Sequence, residues 1–147
     1  MKSDVGRCVL LADRHHGLTE GMRGMLETTF NIVVMVADED SLVESAKRLQ
    51  PTVAVVDLSL LGGDSLRWVK WLRALCPTVK LILLSVHDEP SVCRAAMAAG
   101  ADGFVFKRAV VTQLLAAVDE VMAGRRYIPP EVTPAKPSPD GSEGQKS

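Results

Sequence analysis

Five short apolar runs recur along the chain: CVLLA at 8–12, IVVMV at 32–36, VAVV at 53–56, LILL at 81–84 and FVF at 104–106. They are rich in Val, Ile and Leu and mostly do not alternate with polar residues. This predicts strands covered on both faces. Between them the apolar spacing changes to that of helices. Leu18, Met22, Met25 and Leu26 stand at i, i+4, i+7 and i+8. Leu42, Ala46 and Leu49 repeat the pattern, and Leu66, Val69, Leu72 and Leu75 form a third stripe thickened by Trp68 and Trp71. Val92, Ala95, Ala96 and Ala99 make a small-residue helix with Pro90 near its start and Gly100 just past its end. Val111, Leu115, Val118 and Met122 make the fifth, which Gly124 stops.

Strand and helix thus alternate five times with short connections. That order predicts an α/β protein with a parallel sheet and helices on both faces. Right-handed crossovers make the doubly wound layout the expected one. From about Ile128 the apolar rhythm ends, and Pro129, Pro130, Pro134, Pro137 and Pro139 are interleaved with Ser and Gly. Such a segment cannot bury enough surface to offset its ordering entropy. The expected division is a folded domain over 1–127 and a disordered Pro/Ser/Gly-rich tail over 128–147.

Composition narrows the function classes. The chain has 147 residues, 47% hydrophobic and 24% charged, with a formal net charge of −1. The size suits one domain, and the charge argues against a broad basic face for nucleic acid. No apolar run reaches the roughly 18 residues of a membrane helix, and the stretch at 8–12 is too short for a signal peptide. Cys8, Cys76 and Cys93 form no CxxC motif, so buried reduced thiols in a cytoplasmic protein are expected.

In open α/β sheets the working site lies beyond the carboxyl ends of the strands. Asp13 follows the first run, Asp57 ends the third, Ser85 ends the fourth and Lys107 follows the fifth. Each has a plain structural use taken singly. Together, two carboxylates, a hydroxyl and an ammonium on one rim suit phosphoryl transfer to a carboxylate. An Asp serves as nucleophile, a lysine and a hydroxyl stabilise the acyl phosphate, and a second carboxylate holds a divalent cation.

The stretches LLADRHHGLTEGMRGML, VAVVDLSLLGGDSL, LILLSVHDE and AAGADGFVFK resemble the receiver domain of two-component response regulators, most closely receivers of the LuxR-type subfamily. The resemblance implies a flavodoxin-like (βα)5 fold with strand order 2-1-3-4-5. It also implies that Asp57 is the phosphoacceptor, with Lys107 and Ser85 completing the reactive set. Ser85 would be the switch hydroxyl and Phe104 the switch aromatic that moves inward with it. Asp13, Asp57 and the backbone carbonyl of Ser59 would bind Mg2+, and Val86 and His87 would tune loss of the phosphoryl group. The implied partners are a sensor histidine kinase or phosphotransfer protein and a downstream protein target, with a homodimer left open. The implied protein is a phosphoacceptor signalling domain rather than an enzyme, with self-dephosphorylation at most.

Two departures bear on this reading. The family has an acidic pair after the first strand, and here the pair is Asp13-Arg14. Arginine is a donor with a permanent charge and cannot ligate a cation. Arg14 could reach Asp57 and take the cation's place, or it could point to solvent. Leu61 stands where proline is usual, and Gly62-Gly63 supplies the turn. LuxR-type regulators continue into a helix-turn-helix domain, whereas no helical periodicity follows Pro130, so direct DNA binding and membrane attachment are not expected. The resulting expectation is a stand-alone response regulator acting by protein-protein contact. The alternative is a phosphorylation-independent pseudo-receiver adaptor with a degenerate metal site. A phosphatase-like module is a weaker third reading. His15, His16, His87 and Cys93 meet no ligand spacing for a transition metal.

Overall fold

The computed structural model describes residues 7–132. Strands β1 (Cys8–Ala12), β2 (Ile32–Val36), β3 (Val53–Asp57), β4 (Lys80–Ser85) and β5 (Gly103–Phe106) alternate with helices α1 (His16–Leu26), α2 (Glu39–Leu49), α3 (Ser65–Leu75), α4 (Pro90–Ala99) and α5 (Val110–Met122). Short 3-10 turns follow β3 (Leu58–Leu60) and β5 (Lys107–Ala109). All pairings are parallel, in the order β2-β1-β3-β4-β5. The expected doubly wound, flavodoxin-like sheet is therefore present. No helix among the described residues is long and apolar enough to cross a membrane.

The pleat sends alternate strand residues to opposite faces. Leu10, Ala54, Val56, Leu81 and Leu83 meet α2, α3 and α4 through Leu42, Val69, Leu72 and Ala96. Val9, Leu11, Val55, Ile82 and Leu84 meet α1 and α5 through Met22, Leu26, Leu114 and Val118. Central strands β1 and β3 are buried along their whole length. Edge strand β2 is not, and Ile32 is 48% exposed. Its unbroken apolar run reads like that of a central strand, but it has a neighbour on one side only.

The apolar stripe of α5 is displaced from the one the spacing predicts. Val110, Leu114, Ala117, Val118 and Val121 are buried, while Val111 is 74% exposed. Several apolar positions in this helix compete for the inward face, and the angle at which it leaves the 3-10 turn decides among them. The chain past α5 also differs from the expected boundary. Tyr127 pairs with Gly103, its carbonyl accepts from Phe104 N–H at 3.1 Å, and Val132 is buried in the core. Among the described residues the packed body thus runs to Val132. The rest of the expected tail, residues 133–147, lies outside the described residues, as do residues 1–6.

Arg73 ties the far end of the sheet together. Its guanidinium donates to the carbonyls of Gly100 at 3.0 Å, Pro77 at 3.1 Å and Val79 at 2.8 Å, and pairs with Asp102. Asp102 in turn accepts from Leu81 N–H at 2.8 Å. Gly100 sits at φ 126°, and a Cβ there would come within 3.1 Å of Arg73 Cγ. Replacing Arg73 with Met strands several carbonyls at once. A urea melt should show a loss on the order of 3 kcal/mol. An unchanged midpoint would mean water replaces these bonds without cost.

Candidate functional site

The register aligns the carboxyl ends of the strands. Ala12 pairs with Val36 and Val56, Asp57 with Leu84, and Ser85 with Phe106. The residues that close or follow these strands therefore share one rim. Asp57 and Ser85 are the last residues of β3 and β4, Asp13 follows β1, and Lys107 opens the turn after β5. All four are buried, with Asp57 fully enclosed.

Lys107 binds this set together. Its Nζ donates to Asp57 Oδ2 at 2.8 Å and to Asp13 Oδ1 at 3.3 Å, and lies 3.1 Å from Asp13 Oδ2. Asp57 also accepts from Ser59 N–H at 3.0 Å and from Ser59 Oγ at 2.8 Å. Burial pushes the Asp57 carboxyl upward. The bonds from Lys107 and Ser59, with the ammonium charge, outweigh that push and hold it below the ordinary aspartate value. The side chain is thus an ionised carboxylate next to a cation, a group chemically able to act as a nucleophile.

Ser85 is placed on the rim with its hydroxyl turned into its own loop. Oγ donates to His87 O and accepts from His87 N–H, both at 3.0 Å. Among the described residues it bonds to neither Asp57 nor Lys107. Phe104 is fully buried and meets Phe106 edge to face at 5.7 Å.

Arg14 does not reach Asp57. Its side chain is exposed and donates to Leu60 O at 3.3 Å. It lines a shallow cleft with Asp38, Glu39, Asp40 and Gly62. The ammonium partner of Asp57 is Lys107, which comes from the opposite side of the sheet. Backbone direction decides this: the residue after Asp13 faces away from the rim, and the one after that returns to it.

That returning residue is His15, which the sequence reading set aside. Its backbone N–H donates to Asp13 Oδ1 at 2.9 Å. This local turn brings the ring over the site. Nδ1 lies 2.8 Å from Lys107 Nζ, 3.0 Å from Asp13 Oδ1 and 3.5 Å from Asp57 Oδ2. Ligand atoms of Asp13, His15 and Asp57 all lie within 4.8 Å of one another. Cys93 and His87 take no part in such a group among the described residues, and Cys93 is buried in α4. An Asp followed two residues later by a polar ring was the available signal, since Asp side chains bind backbone two residues on.

A cation fits the rim. Asp13 Oδ2 is buried and makes no hydrogen bond, although the Lys107 ammonium lies near it. Mg2+ is commonly held through one or two carboxylates and waters. Asp13 and Asp57 supply two carboxylates. A groove lined by Ser59, Leu61, Ser85, His87, Ser91 and Val92 opens beside them.

With this geometry in view, known proteins offer a comparison. The model of the response regulator receiver domain matches residues 9–119. The transcriptional regulatory protein DegU of Brevibacillus brevis is 29% identical over 127 residues, covering 85% of this chain and 54% of DegU. RcsB of Escherichia coli K12 is 27% identical over 130 residues, covering 85% of this chain and 60% of RcsB. The chain thus spans little more than half the length of these curated relatives. Among solved structures, a LuxR-family response regulator from Aurantimonas sp. SI85-9A1 matches with TM-score 0.76 at 25% identity, covering 85% of this chain and 91% of that one. The isolated receiver domain of Salmonella RcsB, solved with the phosphomimetic BeF3−, matches with TM-score 0.76 at 25% identity, covering 86% and 95%. A structure of RcsB dimers bound to DNA matches with TM-score 0.76 at 26% identity, covering 86% and 65%.

Proposed function

The chain belongs to the response regulator receiver family, and from that membership we propose that it accepts a phosphoryl group on Asp57 and signals through protein-protein contacts. The observation that carries this reading is the enclosed Asp57 carboxylate, held by Lys107 at 2.8 Å with Asp13 beside it. An Asp57 carboxylate oxygen attacks the phosphorus of a phosphohistidine on a sensor histidine kinase or phosphotransfer protein. The O–P bond forms, the N–P bond breaks, and the released imidazole takes up a proton. Lys107 stabilises the charge that gathers on the phosphoryl oxygens. Ser85 leaves the His87 carbonyl and donates to one of those oxygens. Asp13, Asp57 and the Ser59 carbonyl would hold a Mg2+ ion, which neutralises phosphoryl charge when bound.

The turn of Ser85 supplies the switch. Its loop leads directly into α4, so a new Ser85 bond biases the α4–β5–α5 surface between two states. A bias of a few kcal/mol is enough. The partner on that surface is a downstream protein or a second copy of this chain. Direct contact with nucleic acid forms no part of the proposal.

The test is incubation with a small acyl-phosphate donor and Mg2+, followed by intact mass and fragment mapping. One phosphoryl adduct on Asp57, removed by hydroxylamine, is the expected result. An adduct mapped elsewhere would overturn the assignment. Absence of an adduct with both this donor and a phosphohistidine protein would favour the phosphorylation-independent adaptor.

A further inference from the structure

His15 stands among the reacting groups, and the phosphoacceptor reading gives it no task. Three observations point to one. Its Nδ1 belongs to the same compact group as the oxygens of Asp13 and Asp57. Asp13 Oδ2 is an enclosed carboxylate oxygen with no hydrogen bond. Arg14 occupies the position of an acid, yet its side chain is directed to Leu60 O and the acidic side chains of α2. The site therefore has two carboxylates and an imidazole where an all-oxygen set would have three carboxylates.

We propose that His15 is a metal ligand, and that the chain binds a borderline divalent cation such as Co2+ or Zn2+ through His15, Asp13 and Asp57 in preference to Mg2+. This deepens the receiver reading and rests on it for the location of the site. The physical reason is donor chemistry. Mg2+ favours oxygen ligands and gives up its waters reluctantly. Imidazole nitrogen suits first-row transition ions and zinc, for which affinity at a nitrogen and oxygen site rises along the Irving–Williams series. Exchanging a carboxylate for an imidazole also removes one negative charge, which weakens a hard ion more than a borderline one.

Lys107 supports the placement and sets a condition. Its ammonium stands 2.8 Å from His15 Nδ1, 2.8 Å from Asp57 Oδ2 and 3.1 Å from Asp13 Oδ2. A positive charge already lies where the three donors converge. A metal ion there displaces the ammonium, which is then free to reach a phosphoryl oxygen. Ion and lysine compete for one place before phosphorylation and share the charge afterwards.

The experiment is titration of the full chain with Co2+, Mn2+, Zn2+ and Mg2+, followed by calorimetry and, for Co2+, visible absorption. Native protein is compared with His15→Gln, His15→Ala and His16→Gln, each checked for fold by circular dichroism. The expected result is Co2+ binding at least about tenfold tighter than Mg2+. His15→Gln and His15→Ala should each lose about tenfold or more in Co2+ affinity and change Mg2+ affinity little, while His16→Gln changes neither. Equal affinities for Co2+ and Mg2+, or Co2+ binding that survives both His15 variants or depends on His16, would overturn the proposal. Phosphoryl uptake by the native chain and the same variants, run with Mg2+ and separately with Co2+, separates the two readings. Uptake on Asp57 without selective Co2+ binding overturns the ligand proposal alone. Selective binding without uptake overturns the phosphoacceptor reading alone.

Discussion

Lys107→Met is expected to destabilise the cation-free protein by about 3 kcal/mol. The reason is charge bookkeeping at one rim. Asp13 and Asp57 are both enclosed, and the ammonium of Lys107 contacts both. Methionine keeps most of the side-chain volume, so the strand–turn packing around position 107 survives. What is lost is the cation, which leaves two carboxylates facing each other with the Ser59 bonds to Asp57 and the His15 contacts as their remaining support. Removing one partner of a buried ion pair is costly because the other charge stays behind. A divalent ion should restore much of the loss, since it takes the place of the ammonium. Urea melts with and without divalent cation measure both effects. A variant as stable as the native chain without added ion would show that the two carboxylates relax apart or take up a proton at no cost.

Asp57→Asn is expected to cost some stability at neutral pH and to abolish phosphoryl uptake. An amide oxygen has no charge with which to attack phosphorus, and no acyl phosphate forms on it. Intact mass after treatment with an acyl-phosphate donor should therefore show no adduct at all. The folded state holds the Asp57 carboxyl below its ordinary value, so its ionised form favours folding at neutral pH. Asn gives up that charge and its pairing with Lys107, although its oxygen can still accept from Ser59 N–H. A loss of about 1 kcal/mol in the urea melt is expected at neutral pH, shrinking as acid protonates the native carboxylate. A gain in stability would mean that the crowding of the two carboxylates, rather than the Lys107–Asp57 bond, dominates the rim.

Both variants probe one feature of the rim, two enclosed carboxylates gathered around a single ammonium. Ser85 adds the second element, a hydroxyl whose bonds to the His87 backbone are local and exchangeable. Phe104 lies fully buried on the same side of the sheet.

Much of this was legible along the chain because local rules govern it. The five apolar runs lie within the five strands, and their alternation with helical stripes determined the parallel sheet and hence the rim. Asp13, Asp57, Ser85 and Lys107 were readable as residues of one rim because a strand's carboxyl end is a position in sequence as well as in space. The substitution of Arg14 for an acid was visible in the same way. What the tertiary structure alone decided concerns direction. β2 is an edge strand because of where the chain doubles back, and nothing within IVVMV records that. α5 turns Val110 and Leu114 inward rather than Val111 because its neighbours set its rotation. Val132 joins the core on the face that carries α2, α3 and α4, beyond the point where the apolar rhythm of the sequence ends. Arg14 faces Leu60 and His15 faces Asp57 because a two-residue turn at Asp13 sends one side chain out and brings the next back. Residue type and spacing establish which groups reach the rim, but the direction in which each one points depends on the backbone path fixed by distant packing.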